Sequence, residues 1–329
     1  MKLRNWVTLG GLTLGALGVG LAVRSFLPQR WNTVRWPEME GNAAPLDTST
    51  FPRIEVSFLR CGLATVPELV AVRGALFTPC ALSYSAVLVR HPRGTFLYDT
   101  GLCSDIYTFL VGQPFIFRKT LANFEFEQSL SGHLKRVGVE RSDLDFAILS
   151  HLHWDHVSGI PDIPGVLLRV NRVEYEAARL GLFEMNSGLV RQLMCDNPIE
   201  FFDCAGPVYE GFRSSYDLFG DGSIVLVPLP GHTAGNTGMF INRSNGPRLF
   251  LLGDAAWVSQ NYMRPATMHP LIWTRITSDD ATARQTLIQL HHFALQHPEI
   301  PLIAMHDATM QETFMKGEQT LVAHVKAQE

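Results

Sequence analysis

The feature that most constrains this chain is the stretch "AILSHLHWDHVSGIP". Four potential metal ligands, His151, His153, Asp155 and His156, fall within six residues there. The run before them, "DFAILS", is apolar and of strand length. On an extended backbone, residues two apart point to the same side, so His151 and His153 share a face that Asp155 continues. A turn at the strand end brings His156 back toward them. This is not helical metalloprotease spacing, whose histidines lie four apart. Three neighbouring imidazoles are hard to bury unpaired, because each polar nitrogen needs a partner. A metal satisfies them together, and imidazole with carboxylate suits zinc or iron.

Three further candidates follow apolar runs. His232 stands in "PLPGHTAGNTG", Asp254 in "FLLGDAA" and His306 in "LIAMHDA". Strand ends are where a rigid scaffold presents side chains to one cleft. A tetrahedral ion takes about four ligands, so seven are too many for one ion and suit two. His269 reads as a structural histidine, and His291 and His292 as helix-face residues.

The remaining pattern is α/β. Strand-like runs occur at "RIEVSFL" (53–59), "SAVLVR" (85–90) and "TFLYD" (95–99), the last two joined by the turn signal "HPRG". "FEQSLSGHLKRVG" has helical spacing through Phe126, Leu130, Leu134 and Val137, and Ser142 is placed to cap a short turn. "GVLLRV" (165–170) reads as a strand, and "NRVEYEAARLG" as a helix from Asn171 to Gly181. Strands recur at "SIVLVPL", "TGMFINR", "RLFLLGD" and "PLIAM". The clearest helix is "SDDATARQTLIQLHHFALQHP", capped by Ser278 and closed by Pro298. Two clusters of strand, each followed by helix, predict a helix-covered double sheet.

With 46% hydrophobic residues, 329 residues can bury a large core. A net charge of −4 without a basic tract gives no footprint for nucleic acid. The N-terminus stands apart. No charge occurs from Trp6 to Val23, and Lys2 and Arg4 precede that stretch. As a helix it would span roughly 27 Å, the lower limit for crossing a bilayer. Residues 1–23 therefore read as a signal peptide or membrane anchor with an apolar helix. Residues 24–52 read as a Pro-punctuated arm and 53–329 as the catalytic domain, in or facing the periplasm. The odd set Cys61, Cys80, Cys103, Cys195 and Cys204 has no CxxC and reads mostly as buried thiols, with Cys195 and Cys204 the pair to test for a disulfide.

Together, "HLHWDH", "PGHTAGN", "GDA" and the late His306 resemble the metallo-β-lactamase superfamily over roughly residues 53–310. The resemblance implies an αββα sandwich with a dinuclear site at the sheet edges. His151, His153 and His232 would hold one metal, Asp155, His156 and His306 the other, and Asp254 would bridge them. Asp99 in "FLYDTG" matches the buried carboxylate that supports the ligand loop. Two zinc ions are implied, with iron or another divalent metal as alternatives. The segment "SLSGHLKRVGVERSDLDFAILSHLHWDHVSG" resembles the N-acyl homoserine lactonases within that superfamily. Those enzymes carry a tyrosine three residues after the bridging aspartate, where this chain has Trp257, with Tyr262 nearby.

The resemblance implies a bridging hydroxide that attacks a lactone or ester carbonyl, with Asp155 and Asp254 catalytic and Asp155 passing a proton to the leaving group. Alternatives with the same ligands are a thioester hydrolase of the glyoxalase II kind and a β-lactamase. From another class comes a mononuclear-iron sulfur dioxygenase. Di-iron flavoproteins of this fold place Glu where His153 stands. The apolar stretches 106–117 and 260–273 are candidate walls for an acyl chain, and 106–117 could instead face a membrane; ordinary core is the bland alternative.

Overall fold

The computed structural model describes residues 46–179, 188–194 and 196–315, with Arg24, residues 26–29 and Trp31. The expected apolar helix within residues 1–23 lies outside the described residues. Among those described, no helix is long and apolar enough to cross a membrane.

Two sheets lie face to face. The first runs in the order β4-β1-β2-β3-β5-β6-β7, with β1 Glu55–Pro67, β2 Pro79–His91, β3 Gly94–Tyr98, β4 Glu125–Phe126, β5 Phe146–Leu149, β6 Leu167–Asn171 and β7 Ile199–Phe202. The second runs β12-β11-β10-β9-β8, with β8 Tyr216–Asp217, β9 Ile224–Pro228, β10 Thr237–Ile241, β11 Leu249–Leu251 and β12 Leu302–Ile303. Period-two alternation explains the packing. Val87, Val89, Phe96, Tyr98, Phe146 and Ile148 meet Leu226, Met239, Ile241 and Leu251 between the sheets. The alternate positions Leu88, Leu97, Ala147 and Leu149 join the core under the helices. Both faces of β5 are thus apolar, which is why its sequence reads as an unbroken hydrophobic run.

The Asp280–Gln296 helix covers the second sheet. Phe293 meets the stacked Phe240 and Phe250 rings edge-on at 5.6 and 5.5 Å. Each such pair contributes about 0.5–1.5 kcal/mol beyond its buried area. This α/β, helix–sheet–sheet–helix arrangement is the one expected.

Several local expectations are corrected. Asp279, not Ser278, caps the late helix, accepting from Thr282 N; the Ser278 hydroxyl instead donates to the Gly231 carbonyl. The expected helix from Phe126 begins only at Leu130, capped by Ser129, because Phe126 pairs with β1 as a short edge strand. Glu140 rather than Ser142 caps the turn before β5, in a reciprocal box with Asp143. β1 and β2 run well past their predicted ends, because they pair with each other along almost their whole lengths. Cys204 is a free thiol; Cys195, its expected partner for testing, lies outside the described residues. The described part of the 24–52 arm packs on the domain, where Thr267 donates from its amide and its hydroxyl to Gln29.

Candidate metal centre

All seven predicted ligands converge. His151 and His153 leave the end of β5, and Asp155 and His156 follow on the short Trp154–Val157 helix. His232 follows β9, Asp254 follows β11 and His306 follows β12. Two loops owe their shape to glycine. Gly231 has φ +124°, and a Cβ there would strike the Ala283 backbone nitrogen at 2.2 Å. Gly253 has φ +54°, and a Cβ there would meet Asn236 Oδ1 at 2.5 Å. That oxygen is occupied in accepting the Asp254 amide.

The side chains form two groups able to hold a metal: His151, His153, His232 and Asp254, then Asp155, His156 and His306. Asp254 stands between them. Its Oδ1 is 3.2 Å from His156 Nε2. Its Oδ2 is 3.2 Å from His306 Nε2, 3.4 Å from His232 Nε2 and 3.9 Å from His151 Nε2. Asp155 Oδ2 is 3.4 Å from His306 Nε2, and His153 Nδ1 lies 2.8 Å from His232 Nε2.

The hydrogen bonds decide which nitrogens carry lone pairs inward. Ser150 donates from its hydroxyl to Asp99 Oδ2, so its oxygen is left to accept from His151 Nδ1–H at 3.0 Å. His156 Nδ1–H donates to Asp99 Oδ2 at 2.7 Å, and His306 Nδ1–H donates to the Ser83 carbonyl at 2.8 Å. With Nδ1 engaged in this way, each of these rings turns its Nε2 toward the centre as the nitrogen left to bind a metal. The Nε2 atoms of His151, His156 and His306 and the Oδ1 of Asp254 are buried without a hydrogen bond of acceptable geometry. Buried polar atoms left so are expensive, and a cation among them is the simplest partner. The residues fit a pair of divalent ions.

Burial pushes the His151 and His232 imidazoles well below their ordinary value, which keeps them neutral. At His156 burial acts downward too, but the Asp254 and Asp99 carboxylates outweigh it and hold the group well above. At Asp254 burial acts upward, and the facing His306 and His156 outweigh it, holding the carboxyl well below the usual range. A fixed anion beside the neutral His151 and His232 imidazoles favours a cation there.

Asp99 is fully buried at φ +55°, a conformation that aspartate tolerates better than most residues. It accepts from Ser150 N, the Ser150 hydroxyl and His156. Two supports have no counterpart in the sequence reading. Buried Glu174, on the Arg172–Arg179 helix, accepts from Leu152 N at 2.9 Å and Gly235 N at 2.8 Å. It thereby ties the His151–His156 loop to the His232 loop. Asn236 donates to the carbonyls of Leu229 and Leu252 while accepting from Asp254 N. A lone acid on an amphipathic helix gives no local signal; the Asn in "PGHTAGN" was visible, but its role was not.

A cleft of about 100 Å³ opens over the ligands. Tyr84, Phe117, Leu121, Trp257, Arg275 and Ile276 are among its lining residues. The 106–117 stretch divides: Phe117 reaches the cleft and Ile106 and Leu110 join the core, while Tyr107, Val111, Phe115 and Ile116 are exposed. The 260–273 stretch does not line the cleft; Trp257 before it and Arg275 and Ile276 after it do. Trp257 donates its indole N–H to Asp254 Oδ2 at 3.0 Å. Tyr262 cannot replace the missing tyrosine, since its hydroxyl donates to the Leu302 carbonyl. Tyr84 likewise donates to Leu121 O. His269 caps the Pro270–Ile276 helix, and His291 bonds the Tyr262 carbonyl.

Comparison with known proteins gives a consistent picture. The family model of the metallo-beta-lactamase superfamily matches residues 81–290. The N-acyl homoserine lactonase AttM of Rhizobium radiobacter is 26% identical over 184 residues, covering 54% of this chain and 67% of AttM. The N-acyl homoserine lactonase AiiA of Bacillus thuringiensis subsp. kurstaki is 27% identical over 177 residues, covering 53% and 64%. Among solved structures, an N-acyl homoserine lactone hydrolase with N-hexanoyl-L-homoserine bound at its catalytic metal center superposes with a TM-score of 0.61. It is 20% identical and covers 80% of this chain and 97% of that one.

Proposed function

Because this chain belongs to the metallo-beta-lactamase superfamily and is a metal-dependent hydrolase, we propose that it opens lactones or related esters, N-acyl homoserine lactones among them, at a dinuclear zinc centre. The observation that carries this reading is the convergence of the unpartnered Nε2 atoms of His151, His156 and His306 on the buried Asp254 carboxylate. In this reading His151, His153 and His232 hold one ion, Asp155, His156 and His306 the other, and Asp254 bridges.

Two bound ions would supply Lewis acidity for a carbonyl oxygen and a water acidified to a nucleophile at neutral pH. The chain's own groups do the rest. Asp155 lines the cleft and is the carboxylate placed to carry a proton to the leaving alkoxide. Trp257 holds Asp254 in orientation rather than meeting the substrate, and the Tyr84 hydroxyl is committed to the Leu121 carbonyl. The apolar walls exclude water and receive an acyl chain. The small volume over the ligands suits the reacting ring, leaving a long chain to lie along the rim.

Residues 1–23 are proposed as leader or anchor, 24–52 as the arm and 53–329 as the catalytic domain, acting in or facing the periplasm. The test is acid release in a pH-stat from a long-chain N-acyl homoserine lactone. The zinc-loaded chain would be compared with its Asp254→Ala variant. Rapid opening by the parent and its loss in the variant is the expected result. A folded, metal-replete parent that leaves the lactone intact would sink the lactone reading and direct the search to thioesters and β-lactams.

A further inference from the structure

Away from the cleft, one surface carries large apolar side chains in the open. Phe77 is 78% exposed, Leu76 71% and Leu271 69%, and Phe26 and Leu27 are about half exposed. They come from three separate segments joined into one surface. The Phe26 ring stacks on Phe77 at 6.5 Å and lies 5.2 Å from His269. Arg73 donates to the Arg24 carbonyl, and its own amide donates to Thr267 O. His269 N bonds Val70 O, and Leu271 N bonds the His269 ring. Scattered apolar residues on a surface are ordinary, but a contiguous group marks a contact site.

The chain outside the described residues indicates what covers it. The uncharged stretch of residues 6–23 stops one residue before Arg24. Three residues of extended chain reach at most about 11 Å, so Phe26 stays within that distance of the end of the apolar stretch. We infer that this surface, built from Arg24, residues 26–29, 76–77 and 271, rests on a lipid bilayer, with its apolar side chains among the headgroups and Arg24 and Arg73 toward anionic lipid. Aromatic side chains beside basic ones suit that depth.

The position has a consequence for the cleft. The Pro270–Ile276 helix starts beside the surface with Leu271 and ends at the cleft with Arg275 and Ile276. A seven-residue helix is about 10 Å long. A lipophilic substrate dissolved in the outer part of the bilayer thus has only a short distance to cross to the cleft. The inference rests on residues 6–23 entering lipid and is independent of which bond is hydrolysed.

The test uses the full chain in vesicles of phosphatidylcholine with a quarter phosphatidylglycerol. Flotation reports whether residues 6–23 hold the chain to lipid. A fluorophore on Phe77→Cys, and in a parallel sample on Val208→Cys, is then exposed to brominated acyl chains in the same vesicles. Val208 is an exposed apolar position outside the surface, and the unsubstituted chain gives the background labelling. Quenching at position 77 at least about threefold stronger than at 208 is expected for side chains at headgroup depth. Flotation with equal, weak quenching would overturn the lipid-resting face while leaving the anchor standing. Energy transfer between labelled copies without lipid quenching would overturn it in favour of a second chain. Failure to float would overturn anchor and face together, with lactone opening still measurable in detergent.

Discussion

The floor and the rim of the cleft are built to different standards. On the floor, His151, His156 and His306 each have their second ring nitrogen fixed by Ser150, Asp99 and the Ser83 carbonyl. Glu174 and Asn236 lock the loops behind them. The rim is made of Phe117, Leu121 and Ile276, on or just after two short helices whose neighbours Phe115, Ile116 and Leu271 stand in solvent. The floor allows one arrangement, whereas the partly exposed rim positions Leu121 and Ile276 can change side chains at less cost than buried Phe117. On the proposed function, the chemistry belongs to the floor and the choice of substrate to the rim.

Asp99→Asn strikes the floor hardest. The Asn oxygen can still accept from Ser150 N, but its amide then faces His156 Nδ1, which must accept instead of donate. The proton moves to Nε2 and blocks the lone pair meant for metal. Affinity for the second ion should fall about 10–100-fold, measured by competition with a chromogenic chelator. Unchanged affinity would mean that the His156 tautomer is set by something other than Asp99.

Glu174→Gln comes next. A glutamine offers one acceptor where Leu152 N and Gly235 N each need one, leaving one amide facing an NH₂ group. A loss of about 1–3 kcal/mol in unfolding free energy is expected, read by urea denaturation of the metal-loaded protein. A neutral result would show that the two ligand loops hold together without this clamp.

These two carboxylates also show what the sequence could and could not reveal. The seven candidate ligands are legible because each sits in a short local signature at a strand end. Asp99 became legible through resemblance. Glu174 was not, because its partners lie 22 and 61 residues away and its own helix looks like any amphipathic helix. Helix starts were misplaced by the same kind of effect: Ser278 had capping chemistry, but a tertiary bond to Gly231 occupied its hydroxyl and Asp279 took the role. The sheet order and the exchange of Phe126 from helix to edge strand depend on long-range pairing that periodicity does not encode. Trp257 departs from the lactonase pattern in sequence, but only the geometry shows its N–H turned toward Asp254.

Trp257 stands where floor and rim meet, so its substitution tests whether the two are separable. Trp257→Phe keeps an aromatic wall and removes the charged hydrogen bond to Asp254. Such a bond is worth roughly 1.5 kcal/mol or more, so kcat/KM should fall about tenfold with two ions still bound by elemental analysis. If metal content fell with activity, Trp257 would belong wholly to the floor.

The smallest effect is expected at the rim. Ile276 lines the cleft and is only partly buried, so Ile276→Ala removes part of the contact a fatty chain would make. At about 0.8 kcal/mol per fully buried CH₂, with half or more of that contact shared with solvent, the loss is near 1 kcal/mol, or roughly fivefold. Lost ground-state binding should raise KM for long acyl chains and leave kcat and the short-chain substrates unchanged. A fall in kcat for every chain length would break the comparison, because it would mean that this rim position helps to place the reacting carbonyl. The rim could then no longer vary without disturbing the chemistry below it.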